Sequence, residues 1–282
     1  MADSIARFTF DNSAVRGEHV ALAHSYQELL AIHHYPPVVA RLLGEMAAAA
    51  CLLAQTIKFD GTLTLQVRSG GEIPLIMAEV DNHQQFRAIA RRAQQASSPH
   101  FASLFHQGQL CLTLQPRGGK PYQGIVSLDD HSLASSLENY FAQSEQLPTR
   151  LWLAADGERA AGLLLQQMPG ADAGDHWRHL QQLAATVTPE ELLTLERETL
   201  LYRLYHQDHP RLHPPQAVRF HCSCNRQRLE QVLMSLGRDE LDDILAERGL
   251  IDVNCEFCNR FYQFDGADVA ALFSPEAPQQ SH

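Results

Sequence analysis

Six cysteines stand in this 282-residue chain, and four of them are spaced for chemistry. Cys222-Ser223-Cys224 and Cys255-Glu256-Phe257-Cys258 form two tight pairs with 30 residues between them. In a reducing compartment such pairs are metal ligands or redox centres rather than permanent disulfides. Thiolate sulfur is soft, and four sulfurs in two close pairs suit the tetrahedral preference of Zn²⁺. The spacing therefore predicts one zinc ion held by Cys222, Cys224, Cys255 and Cys258. A filled four-sulfur site leaves no open coordination position for Lewis-acid hydrolysis, so its default role is structural. A redox role is also open. Zinc holds cysteines as thiolates at neutral pH, and thiolates are what oxidants attack. Each close pair could then oxidise to a disulfide, with loss of the metal and of the folding energy it supplies. Spacing alone does not separate that switch from a zinc ribbon with a purely structural metal, binding nucleic acid or a protein partner.

The residues around the cysteines read as a small folded segment. Arg226–Leu236 has Leu229, Leu233 and Leu236 in helical phase and is closed by Gly237. A second helix is expected over Asp239–Leu245, ending near Gly249, and Ile251 and Val253 alternate into the second pair. Upstream, residues 1–172 read as an α+β domain with a mixed α/β sheet. Phe8 and Phe10, then Leu63, Leu65 and Val67, then Leu110, Leu112 and Leu114 alternate with polar residues as half-buried strands do. Ile73–Val80 fits a strand, and Val38–Leu53 and Ser132–Phe141 fit helices. The small, turn-forming run Met168–Gly174 marks a boundary. Residues 173–217 then read as a helical linker, with Trp177, Leu180, Leu183, Ala184 and Val187 at helical spacing. Thr188-Pro189-Glu190-Glu191 is a capping box with proline at the first helical position. The remainder, 218–282, carries the cysteines.

Composition narrows the function classes. Twenty-two basic against 33 acidic residues leave a formal charge of −11, which opposes a general nucleic-acid or anionic-membrane surface. Residues 221–282 hold 5 basic and 11 acidic residues, although Arg226, Arg228 and Arg260 could form a local patch. The longest unbroken apolar run, Met46–Ala54, falls short of the ~20 residues needed to span a bilayer, and the acidic start Met1-Ala2-Asp3-Ser4 lacks a signal stretch. A cytoplasmic protein with no membrane partner is expected. Arg117-Gly118-Gly119-Lys120-Pro121 lacks the phosphate-loop pattern and reads as a hairpin loop. Cys255-Glu256-Phe257-Cys258 has the spacer of a thiol–disulfide oxidoreductase but no βαβ context. No catalytic triad or carboxylate pair stands out, so no enzyme is expected. Cys51 and Cys111 read as packed apolar residues, and His206, His209, His213 and His221 as surface histidines rather than ligands.

These motifs resemble those of the redox-regulated 33 kDa chaperonin family of heat-shock holdases. Phe220-His221-Cys222-Ser223-Cys224-Asn225-Arg226, Asp239–Asp242 and Cys255–Cys258 carry the likeness at the C-terminal end. Phe10–Gly17, Tyr122–Val126 and Tyr140–Thr149 carry it independently at the N-terminal end, with Glu190–Leu193 and Leu204–His206 between. The resemblance implies an ATP-independent stress chaperone, zinc-bound and inactive when reduced, and activated by oxidants under unfolding conditions. It implies disulfides Cys222–Cys224 and Cys255–Cys258 in the oxidised form, a homodimer when active, and unfolding proteins as clients. The linker helices, presenting Trp177, Leu180, Leu193, Leu200 and Leu204, would then need a partner surface that activation uncovers.

Overall fold

The structure is a computed structural model that describes residues 2–11, 13–57, 59–129, 131–168 and 174–274. Most of the expected boundary run Met168–Gly174 therefore lies outside the described residues. The chain divides into two compact units, Met1–His221 and Cys222–His282.

In the first unit the strands are β1 (Ser4–Phe10), β2 (Val15–Leu22), β3 (Gly61–Arg68), β4 (Leu75–Asp81), β5 (Gln85–Arg91), β6 (Gln109–Pro116), β7 (Tyr122–Ser127), β8 (Thr149–Ala155), β9 (Ala160–Gln167), β10 (Pro210–Leu212), β11 (Gln216–Ala217) and β12 (Arg219–Phe220). Its helices are α1 (His24–Leu30), α2 (Pro37–Thr56), α3 (Phe101–Leu104), α4 (Leu133–Tyr140), α5 (Gly174–Ala184), α6 (Pro189–Thr194) and α7 (Arg197–Tyr205). One sheet runs β10-β1-β2-β9-β8, with β11 also on β1; the other runs β12-β5-β4-β3-β6-β7. This is the mixed α+β architecture expected. The Gly118-Gly119 segment is indeed a hairpin loop, joining antiparallel β6 and β7.

The helix α2 lies between the two sheets. It has 20 residues, and an 18-residue stretch of it with a mean hydropathy of 1.6 would be long and apolar enough to cross a membrane, but 72% of that stretch is buried inside the protein. A helix apolar all round belongs in a core, and α2 meets Ile5, Val20 and Leu164 of one sheet and Leu63, Ile76 and Phe86 of the other. The first sheet is apolar on its second face too. Phe8, Phe10, Val15, Leu163 and Leu165 point away from α2 and are covered by Leu180, Leu192, Leu193, Leu200, Leu204 and Tyr205 of α5–α7. That double coverage explains why β9, Ala160–Gln167, is buried almost throughout and reads as a continuous apolar run rather than an alternating one.

The linker helices thus have the partner surface that their apolar stripes require. Val187, expected in phase with α5, lies beyond its end at Ala184. The stretch after α7 departs from the expected helical connector. His213 N–H donates to the Arg7 carbonyl at 2.9 Å, and β10, β11 and β12 return as short strands to both sheets.

The second unit contains α8 (Arg226–Leu236), α9 (Arg238–Arg248), β13 (Ile251–Asn254), β14 (Phe261–Phe264) and α10 (Gly266–Leu272). Its core is Leu233, Leu241, Ile251, Phe264 and Val269. The two helices and the alternating Ile251/Val253 stretch fall where the pattern places them. Leu236, at the end of the expected apolar face, is 54% exposed.

Candidate metal centre

Two local devices bring the four thiols together. Cys222 and Cys224 lie on the segment just before α8, whose start is fixed by Asn225: its side chain accepts the Arg228 N–H at 2.9 Å as an N-cap. Arg228 reaches back to Ser223 Oγ at 2.6 Å, tying down the residue between the two cysteines. Cys255 and Cys258 sit in the loop joining the antiparallel β13 and β14. Cys255 N–H donates to the Arg260 carbonyl at 2.9 Å and Asn259 N–H to the Cys255 carbonyl at 2.7 Å. Asn259 takes the left-handed conformation (φ 56°) that this reversal needs and that asparagine tolerates.

The result is one cluster in which the ligand atoms of Cys222, Cys224, Cys255 and Cys258 all lie within 4.8 Å of one another. Close approaches run between the pairs: Cys222 Sγ to Cys255 Sγ is 3.6 Å and Cys224 Sγ to Cys258 Sγ is 3.3 Å. Zn–S bonds of about 2.3 Å in a tetrahedron place sulfurs roughly 3.8 Å apart. The cluster fits a soft divalent ion on both donor chemistry and spacing. All four cysteines are free thiols.

The thiols do not share their acidity equally. Burial pushes Cys224 up, but hydrogen bonds from the Tyr262 hydroxyl, 3.3 Å away, and from the Cys258, Cys222 and Cys255 thiols outweigh it and draw Cys224 down to about 7. Burial raises Cys255 and Cys258, and their thiol neighbours add to the effect. Cys224 is thus drawn toward the thiolate, with neighbouring S–H groups donating to it. Tyr262, at the second position of β14, carries no sequence signal as a thiolate partner; pairing with Val253 across the hairpin puts it there.

Elsewhere the expectations divide. Cys51 is buried in α2, where desolvation pushes its thiol up, as expected of a packed residue. Cys111 is not fully packed: it is half-buried, and the Gln123 amide donates to its sulfur at 3.0 Å. His213, read as a surface histidine, pairs with Thr9 Oγ1 at 3.1 Å. All three arginines of the supposed basic patch have internal partners, Arg260 through the Tyr262 side chain. Arg226 stacks on Phe264 at 4.2 Å and pairs with Asp268 at 2.7 Å, while Arg228 holds Ser223.

One buried polar contact escapes the sequence pattern. Arg197 of α7 is buried; its Nε donates to His19 Nδ1 at 3.1 Å and its Nη2 to the Ser4 carbonyl at 3.0 Å and Ser4 Oγ at 2.9 Å. This is a polar pin between the linker layer and the first sheet. Its partners lie 178 and 193 residues away, so no local spacing announces it.

A two-sheet α+β unit carrying a docked helical layer, followed by a small unit with four convergent thiols, defines a two-part protein whose polar chemistry is concentrated in a sulfur cluster. Comparison with known proteins gives the class a family. A family model described as Hsp33 protein matches residues 3–265. A 33 kDa chaperonin of Azotobacter vinelandii is 52% identical over 281 residues, covering 96% of this chain and 95% of that protein. One from Pseudomonas paraeruginosa is 50% identical over 287 residues, covering 99% and 97%. The crystal structure of a 33 kDa chaperonin from Thermotoga maritima, an Hsp33 homologue, shares the fold at a TM-score of 0.83 and 20% identity, covering 96% of this chain and 97% of that one. The chain belongs to the Hsp33 family of chaperones.

Proposed function

We propose that this chaperone is an ATP-independent holdase under redox control, working in the cytoplasm as a homodimer when active, with unfolding proteins as its clients. Residues 1–172 would bind clients and dimerise, 173–217 would act as a releasable linker, and 218–282 as the switch. One zinc ion per chain, bound by Cys222, Cys224, Cys255 and Cys258, would hold the reduced switch folded. One hydroperoxide for each cysteine pair takes two electrons from its two thiolates and, with two protons, leaves water and an alcohol, or water alone from hydrogen peroxide, forming Cys222–Cys224 and Cys255–Cys258 in two such steps. Sulfurs joined to each other are no longer thiolate ligands, so oxidation removes the centre that holds the small unit together.

The observation that carries this reading is the sulfur cluster, set in a unit whose core has five buried side chains among the described residues: Leu233, Leu241, Ile251, Phe264 and Val269. Chain continuity supports the relay to the linker, because β12 ends at Phe220, next to His221, which donates to the Phe86 carbonyl and directly precedes Cys222. The helices α5, α6 and α7 have 11, 6 and 9 residues, shorter than the ~12–15 at which isolated helices become even marginal. Loosening them uncovers the apolar face of Phe8, Phe10, Val15, Leu163 and Leu165, a surface for apolar client segments. The net negative charge of the cysteine segment and the internal pairing of Arg226 and Arg228 favour this reading over nucleic-acid binding.

The test follows metal release with a chromogenic chelator, helicity by circular dichroism, and thermal aggregation of a client, before and after peroxide at elevated temperature. Release of one zinc per chain, loss of helicity and gain of protection should coincide. Equal protection by reduced and oxidised protein would reject redox control. Peptide mapping should recover the two within-pair disulfides. Cross-linked Cys222–Cys255 and Cys224–Cys258 would overturn the assigned pairing.

A further inference from the structure

Three of the stretches that carry the family resemblance lie far from the cysteines in sequence, and the thiol chemistry makes no use of them. Phe10–Gly17, Tyr122–Val126 and Tyr140–Thr149 nevertheless meet at one place in the first unit. Arg16 from the first, Tyr122 from the second, and Tyr140 and Glu145 from the third line a cleft of about 590 Å³ beside the C-terminal end of α2, with Leu112 and Leu114 of β6. The volume falls in the ~300–1,000 Å³ range of small-molecule sites. The lining is built rather than incidental. A Cβ at residue 124 would come within 2.5 Å of the Tyr140 ring, so Gly124 is what lets that ring lie against β7. The cleft is separate from the sheet face that the linker helices cover.

Its polar groups are unequally satisfied. The Tyr122 and Tyr140 hydroxyls both donate to Glu145 Oε1, each at 3.0 Å, so this carboxylate already has two donors. Among the described residues Arg16 hydrogen-bonds a neutral acceptor, its Nε and Nη2 donating to the Gln166 amide oxygen at 3.2 and 2.5 Å, and feels the Glu18 charge without a hydrogen bond to it. The nearby buried carboxylate, Glu18, is taken by Arg7 Nε at 2.7 Å. A guanidinium bonds an ionised oxygen about twice as strongly as a neutral one and with matching fork geometry.

We propose that this cleft binds a small amphipathic anion, its apolar body against Leu112, Leu114, Tyr122 and Tyr140 and its carboxylate or sulfonate head on Arg16. The site is open in the thiol form and does not depend on the redox reading, so either can fail without the other.

The experiment is calorimetric titration of decanoate, below its micelle-forming concentration, into the reduced, metal-loaded full-length protein, with 1-decanol as the uncharged counterpart. One saturable site is expected, with the alcohol bound about tenfold or more weakly, the worth of a charge-assisted hydrogen bond. Arg16→Met should erase that difference, and Leu114→Trp, which fills the cleft, should weaken both ligands; circular dichroism checks that each variant is folded. Absence of saturable decanoate binding, or equal binding of acid and alcohol to the unaltered protein, overturns the proposal, and that comparison needs no variant. Undiminished decanoate binding by folded Arg16→Met overturns it as well.

Discussion

In the first unit, α2 is enclosed by two sheets, and one of those sheets is covered again on its far side by α5–α7. In the second, three helices and a hairpin gather around five buried side chains. Buried apolar area scales with the size of such clusters, and small domains close too little of it to fold securely without a staple. The first unit therefore draws its stability from packing, which an oxidant leaves untouched. Under the proposed function the second relies on four sulfurs, which an oxidant changes, and the protein would then lose one part of its structure chemically and keep the other.

The largest expected effect tests that contrast directly. Cys258→Ser removes one of four candidate ligands, and structural zinc sites supply an apparent ~10–16 kcal/mol of folding free energy. Residues 222–274 should lose hydrogen-exchange protection while the core of the first unit keeps its own. Exchange measured by mass spectrometry, with zinc quantitation, reads both at once. Retained protection across α8–α10 in a zinc-free variant would break the comparison.

A second effect belongs to the first unit alone and comes from two neighbours on β2. His19 is fully buried, and desolvation, with Arg197 beside it, pushes it down to about 3. Its folded pKa is below the unfolded value of 6.5, so the stability contributed by neutral His19 is present above pH 6.5 and is lost as pH falls toward 3, a span worth roughly 4–5 kcal/mol. Glu18 has the opposite sign. Burial raises it to about 7 despite the hydrogen bond from Arg7, so its contribution is full below pH 4.5 and is lost as pH rises through 7. Between pH 4.5 and 6.5 the two slopes oppose each other. Glu18→Gln should therefore gain stability relative to the unaltered protein as pH rises from 4.5 to 8, by up to about 3 kcal/mol in urea titrations. A difference independent of pH would show that Glu18 titrates normally.

Those two residues also show why part of the fold was hidden in the sequence. The four cysteines, α2, the capping box and the alternating strands β3 and β6 are local patterns, and each appeared where its spacing placed it. The strand β2 is different: Gly17, Glu18 and His19 interrupt its apolar residues, and all three are buried. Gly17 leaves room for the Phe8 ring, which a Cβ would meet at 2.0 Å. Glu18 is paired with Arg7 and His19 accepts from Arg197. Both partners sit on other elements, and Arg197 lies 178 residues from His19, beyond any window along the chain; Glu18 Oε2 and His19 Nε2 have no hydrogen-bond partner among the described residues. The strands β10–β12 were hidden for a second reason. Pro210, Pro214 and Pro215 end the helical pattern legibly, but two- and three-residue strands have too little length for a period to appear.

The smallest expected effect lies at the joint between packing and release. Thr188 Oγ1 accepts the Glu191 N–H at 3.2 Å, and the Glu191 carboxylate accepts the Thr188 N–H at 3.0 Å, closing both ends of the capping box on α6. Glu191 also pairs with Arg203 of α7 at 2.5 Å, so the cap joins two linker helices. Thr188→Ala should cost about 1 kcal/mol, as a lost N-cap generally does. In a six-residue helix that depends on its docking for stability, this is a large share of the local term and a small share of the whole unit's. Amide exchange should therefore quicken across Leu192–Thr194 and into α7 while α2 stays protected. If the linker is the element that activation releases, the same variant should reach full client protection at lower temperature under oxidant, with unchanged zinc affinity in the reduced state. Faster exchange without that earlier protection would mean that α6 can loosen without exposing the surface clients use, and would move the release step to α5 or α7.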